Sequence, residues 1–192
     1  IAALQSGKVD PLRKMARDEC CTALEEEMRP DGRGARLIPT EAAVGAVDAV
    51  AIFVEEPVDR ALLEVRWSCG LHELLPDGSR RPHAAASFRC SFFVLSRKHG
   101  SSSDMDETLA SAHCPSCGAP AMASAASACE YCGTVLNQGD RDWVLDAVLP
   151  RHDPLIAGLL ARVQEDVSAR PGPAAPSGAR ELAAWMVYMM LA

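Results

Sequence analysis

Hydrophobic positions recur at two different periods along the chain, and the change of period divides it. From Pro11 to Met28 the apolar residues Leu12, Met15, Ala16, Cys20 and Leu24 fall at helical spacing with charge on the other side, which predicts an amphipathic helix. Asp10 before Pro11 is a helix-opening pair, and Pro30, Gly32 and Gly34 end the segment. The acidic run Glu25, Glu26 and Glu27 reads as a solvated helix end. Val44 to Val54 is rich in valine and predicts a strand. Ala61 to Leu71 then alternates with period two, so Ala61, Leu63, Val65, Trp67, Cys69 and Leu71 share one face. Pro76-Asp77-Gly78 predicts a turn, and Ser87 to Arg97 a third strand with Phe88, Cys90, Phe92 and Val94 on one side.

A helix followed by an antiparallel meander with one apolar face is an α+β plan, a curved antiparallel sheet with helices covering one side. The candidate pocket-lining residues on that inward face are Leu63, Val65, Trp67, Cys69, Phe88, Cys90 and Phe92. Residues 1–99 are read as this domain. Residues 100–112, which include the run GSSSDMD, are read as a linker, and residues 113–148 as a cysteine module. A helix is expected over 149–168, opened by Asp153-Pro154 and carrying Leu155, Leu159, Leu160, Val163 and Val167. A second linker rich in Pro and Ala occupies 169–180, and 181–192 begin a further helical segment that the chain end truncates.

Composition sharpens this plan. At 192 residues the chain suits one ordinary domain with small appendages, and 48% hydrophobic with 23% charged residues is a globular mix. Aromatics reach only 5%, so the core is built mainly from Leu, Val and Ala. Nineteen basic residues against 26 acidic ones give a net charge of −7 without any basic patch, so no nucleic-acid partner is expected. The sequence opens on Ile1, which reads as a processed or excised piece whose parent is free to carry an upstream membrane segment. No run approaches the ~18 apolar residues of a transmembrane helix; the longest stretch, Leu182 to Ala192, has 11. The expected location is the cytoplasm or the cytoplasmic face of a membrane.

The most specific chemical signal lies among the eight cysteines. Cys114-Pro-Ser-Cys117-Gly and Cys129-Glu-Tyr-Cys132-Gly are two copies of one device. Each pair places two thiolates on one side of a tight turn, and two such turns together make a closed tetrahedral cage suited to one structural Zn²⁺ per chain, although four thiolates also suit iron. A redox dithiol would need a βαβ context that the sequence lacks. His113 is a flanking polar residue beside the first ligand. Between His113 and Asp140 there is no Lys or Arg, which separates this segment from zinc ribbons that grip phosphates. Of the 25 residues from Cys114 to Gln138, only Met122, Tyr131, Val135 and Leu136 are large and apolar, so the metal is expected to supply the folding energy there. Cys20, Cys21, Cys69 and Cys90 read as reduced, packed residues.

The order of parts resembles a known family. Leu4-Gln-Ser-Gly-Lys-Val-Asp-Pro11, the Asp77-Gly78 hairpin, the strand Phe88-Arg-Cys-Ser-Phe-Phe-Val-Leu-Ser-Arg97, the paired cysteine turns and the step Gly139-Asp-Arg-Asp-Trp-Val-Leu145 together resemble bacterial Tim forty-four-like domains followed by a zinc ribbon. The resemblance covers about residues 1–148 and places the domain's first helices upstream of Ile1. It implies a nuclear-transport-factor-two-like fold, a cone of curved sheet and helices around an apolar cavity. It also implies a non-enzymatic role in binding a lipid tail, a hydrophobic segment or a protein partner, with membrane association of the parent protein. The same fold hosts isomerases and dehydratases, which need a tuned acid–base pair in the pocket. The expected inward face carries none, and His72 and His83 flank the hairpin end. A nucleic-acid-binding ribbon and a cone-fold enzyme are the two rival functions. The tail Ala179 to Ala192 resembles the opening helix of a TerB-like domain.

Overall fold

Period-two alternation becomes four antiparallel strands in the order β1-β2-β3-β4: β1 Arg36–Phe53, β2 Val58–Leu74, β3 Arg80–Lys98 and β4 Val144–Pro150. This computed structural model describes residues 2–101, 114, 116–119, 127–140 and 142–169. Its helices are α1 (Ala2–Ser6), α2 (Asp18–Glu27) and α3 (Pro154–Ala169), with a 3-10 turn at Asp10–Leu12. The chain is therefore α+β, as its pattern predicts. Among the described residues no helix is long and apolar enough to cross a membrane.

The first three strands run several residues past their apolar cores because hairpin pairing continues them. Between β2 and β3, the Gly78 amide donates to Leu75 O at 2.9 Å, and the Asp77 carboxylate accepts the Ser79 amide at 2.8 Å. Register shifts at Thr40/Ala43, Val44/Ala46 and Ala49/Ala51 insert irregularities into β1, each of which bends and twists the sheet. The result is a curved sheet.

The helix expected over Pro11–Met28 is divided. Asp10-Pro11 opens only the 3-10 turn, and α2 starts at Asp18 after an extended Arg17. The intervening residues leave the helix to bond β4: the Leu145 amide donates to Met15 O at 2.8 Å and the Arg17 amide to Leu145 O at 2.9 Å. These bonds satisfy the backbone that helix would otherwise pair. The apolar stripe survives the break, since Ala16, Cys20 and Cys21 are all buried.

Both faces of the sheet are covered, not one. On the first face Ala61, Leu63 and Val65 of β2, Leu95 of β3 and Leu145 of β4 pack with Cys20, Cys21 and Met28. On the second, Leu62, Phe92 and Val94 pack against Ile156 and Leu159 of α3, with Phe53 beside them. Each fully buried Leu, Ile or Phe contributes about 1.5–3 kcal/mol of transfer free energy, so α3 is part of the fold's stability.

This places the cysteine module inside the sheet's chain path. Residues 99–143 leave after β3 and return as β4, so the sheet domain does not close at residue 99, and the segment 113–148 ends within β4. Trp143, Val144 and Leu145 belong to the sheet's interior. The returning chain is pinned where it arrives. Gly139 O accepts the Lys98 amide at 2.6 Å, and the buried Asn137 donates Nδ2 to Ala16 O at 3.0 Å and to Asp18 Oδ1 at 3.1 Å. Gly139 has φ +73°, and a Cβ there would stand 3.2 Å from Ser96 O, so the close approach to β3 requires glycine. Residues 102–113, most of the linker 169–180 and the helical start at 181–192 lie outside the described residues, as does His113.

Candidate metal centre and apolar cavity

The two cysteine turns are built alike. In the first, the Cys114 amide donates to Ala119 O at 2.7 Å and the Gly118 amide to Cys114 O at 2.8 Å. In the second, the Cys129 amide donates to Thr134 O and the Gly133 amide to Cys129 O, both at 2.8 Å. Gly118 and Gly133 take φ +71° and +72°, the left-handed conformation that closes each turn. The Ser116 amide reaches Cys114 Sγ at 3.4 Å, so the turn also points donors at the sulfur.

The turns bring all four sulfurs within 4.8 Å of one another. Cys114 Sγ lies 3.7 Å from Cys132 Sγ, and Cys117 Sγ 3.8 Å from Cys129 Sγ. A disulfide would hold them at about 2.05 Å. A tetrahedral shell with metal–sulfur bonds of about 2.3 Å has edges of about 3.8 Å, so the spacing fits four ligands around one ion. Cys114 and Cys129 are buried while Cys117 and Cys132 are exposed, so the cluster sits at the surface with one half shielded.

Hydrogen bonds to the sulfurs, and then their crowding, set the proton affinities. The Cys132 thiol is lowered to about 6, first by the Thr134 hydroxyl 3.2 Å away and then by the Thr134 amide. Cys114 is lowered, first by the Cys117 amide. At Cys117 the Ala119 amide favours the thiolate, but burial and the three neighbouring sulfurs outweigh it and push the thiol up to about 12. Four thiolates so close repel one another, and a cation is what permits all four to ionise together.

The second candidate is a cavity of about 110 Å³ between the helices and the first sheet face. Ala3 and Leu4 of α1, Leu12, and Leu24 and Met28 at the end of α2 form one wall. Val44, Val65, Trp67, Phe93, Leu145 and Val148 form the sheet side, with Ser91 as the one hydroxyl. Trp67 Nε1 donates to Ser91 Oγ at 3.1 Å, which satisfies the indole.

Of the expected pocket residues, Val65 and Trp67 line this cavity. Leu63 and Cys69 are fully buried on the same strand without lining it. Phe88, Cys90 and Phe92 lie on the opposite face, which corrects the expected set. The register explains it: Val65 pairs with Ser91 and Leu63 with Phe93, and directly paired residues share a face. The even positions of β3 therefore turn away, Phe92 beneath α3 and Phe88 into solvent at 95% exposure. The walls from α1, β1 and β4 escaped the sequence reading because each contributes only one or two apolar residues.

Cys20 and Cys21 are buried under the first face. Burial, then the neighbouring Cys21 and Asp146, pushes the Cys20 thiol up to about 12, and burial likewise raises Cys21. At Cys90 burial and the Glu64 carboxylate 3.2 Å away raise the thiol. None of the three is an activated nucleophile. His72 is half-buried in β2 and His83 is exposed in β3. No protein-family model, curated protein or solved structure matches the chain.

Proposed function

We propose that this chain is a non-enzymatic binding protein whose cavity takes an apolar ligand, with one structural Zn²⁺ held by Cys114, Cys117, Cys129 and Cys132. The observation that carries the binding role is the cavity lining: apolar side chains from the helical segments and all four strands converge on one space, with a single hydroxyl and no acid or base. A lipid tail or a hydrophobic peptide segment has the matching chemistry. Zinc suits the four-sulfur donor set and its spacing, and a site closed by four protein ligands leaves no position for a reacting water. The ion's contribution is folding energy for a segment with little core of its own. The curvature of the sheet over the cavity fits the nuclear-transport-factor-two-like cone of Tim forty-four-like domains, and with it a cytoplasmic or membrane-face location.

Native mass spectrometry of protein purified without added metal, before and after chelation, tests both parts. The expected result is one zinc per chain and an additional small apolar mass that Val65→Trp removes. Zinc without such a mass would move the role toward a protein partner. Absence of metal together with oxidised thiol pairs would overturn the zinc centre.

A further inference from the structure

The sheet face under the cavity does not stay apolar as it runs outward. Register pairs Leu63 with Phe93, then Val65 with Ser91, then Trp67 with Arg89. Paired residues share a face, so the successive rungs are apolar, hydroxyl-bearing, and then indole beside guanidinium. The Arg89 guanidinium carbon lies 5.7 Å from the centre of the Trp67 ring, and that ring lines the cavity.

Among the described residues Arg89 has no anionic partner. Its Nε is shielded from solvent and has no hydrogen-bond partner, and among the described residues no carboxylate forms an ion pair with it. Arg97 is the instructive contrast. Its Nε is likewise shielded, but the Asp59 carboxylate stands 3.5 Å away and the Trp143 ring 4.5 Å below its guanidinium. A shielded donor without an acceptor is costly, and such groups are rare unless a ligand supplies the partner.

We infer that the cavity takes a monocarboxylate with a short apolar chain, its carboxylate held by Arg89 and its chain lying past Trp67 and Ser91 against Val65 and Phe93. This rests on the cavity being a ligand site. A guanidinium fork matches a carboxylate in geometry and charge, and the Trp67 ring beside the guanidinium covers one side of that contact at the cavity rim. The size agrees: about 110 Å³ is somewhat less than the about 150 Å³ cavity that accommodates benzene, so it holds part of a chain and not a two-tailed lipid.

The test is calorimetric titration of the metal-loaded full chain with octanoate and with octanamide, its neutral counterpart, at matched ionic strength. Octanoate is expected to bind about tenfold more tightly than octanamide. Arg89→Gln is expected to bring octanoate down to the octanamide level without changing the melting temperature, and Arg89→Lys to restore part of the difference. Equal binding of both ligands, unmoved by Arg89→Gln, overturns the carboxylate assignment and leaves the apolar cavity standing. If neither ligand binds, the cavity itself is not a ligand site and both conclusions fall.

Discussion

Arg17 Nε donates to the Asp146 carboxylate at 2.7 Å, joining the residue before α2 to β4 across 129 positions of sequence. The same guanidinium reaches Ser96 Oγ of β3 at 3.0 Å and Gln138 O at 3.2 Å, while the Ser96 hydroxyl donates to Asp146 at 2.6 Å. One side chain thus fastens the helix start, two strands and the returning end of the cysteine module. Arg17→Ala is expected to cost about 1–2 kcal/mol, since it leaves a half-buried carboxylate and a buried hydroxyl short of partners. A double-mutant cycle with Asp146→Ala, read by urea unfolding, is expected to give a coupling of about 1 kcal/mol. Strict additivity of the two losses would show that the pair is an ordinary solvent-screened contact.

Phe88 and Phe92 sit on the same face of one strand, four residues apart, and have opposite fates. Phe92 is 1% exposed beneath α3, and Phe88 is 95% exposed. Phe92→Ala is expected to destabilise by about 3–5 kcal/mol through loss of burial and the cavity it leaves. Phe88→Ala is expected to stay within about 0.5 kcal/mol of the parent. Comparable losses at both positions in thermal unfolding would mean that Phe88 is covered in solution.

This contrast also shows what the sequence could and could not convey. Alternation in Ala61–Leu71 was legible because one face of β2 is consistently apolar. The facing of β3 was not, because both of its alternating sets are apolar: Phe92 and Val94 go one way, Phe93 and Leu95 the other. Period two reveals that sides alternate but not which side meets the core, and only pairing with β2 decides it. The four metal ligands were legible because their geometry is made within each five-residue turn. The module's place between two strands of one sheet was not, because β4 has only seven residues and pairs with a strand about fifty positions earlier. The break in the first helix likewise depends on Leu145, which no local pattern near Ala16 reveals.

Asp59, at 3% exposure, predicts acid sensitivity. Burial alone would raise its carboxyl, but the hydrogen bond with His99 Nδ1 at 2.8 Å, the Glu55 amide and the charges of His99 and Arg97 prevail and hold it below its ordinary 3.8. A depressed native value means that the unfolded chain binds the proton more readily. The stabilisation is therefore complete above about pH 4 and is lost as pH falls through the native value. Asp59→Asn is expected to lower stability at neutral pH and to flatten the acid limb of the unfolding midpoint plotted against pH. An acid limb as steep in the variant as in the parent would assign the acid sensitivity to other carboxylates.

Thiol accessibility separates the metal centre from the sheet. With metal bound, the four ligand sulfurs are expected to resist alkylation along with buried Cys20, Cys21 and Cys69, leaving half-buried Cys90 as the slow site. Chelation at neutral pH is expected to expose Cys114, Cys117, Cys129 and Cys132 to reagent within minutes, while Cys20 and Cys21 stay protected on the side of α2 packed against the sheet until denaturant is added. The difference arises from what holds each group: the ligand turns depend on the ion, whereas the sheet has two covered faces of its own. The sheet is nevertheless expected to feel the loss. Without the ion the excursion between Lys98 and Gly139 becomes one long flexible loop, and loop entropy grows only logarithmically with length, so the cost is about 1 kcal/mol. That corresponds to a fall of about 2–4 °C in Tm for a chain of this size. Release of Cys20 and Cys21 together with the ligand cysteines would mean that the ion holds the whole fold, with β4 docking only onto a metal-bound module.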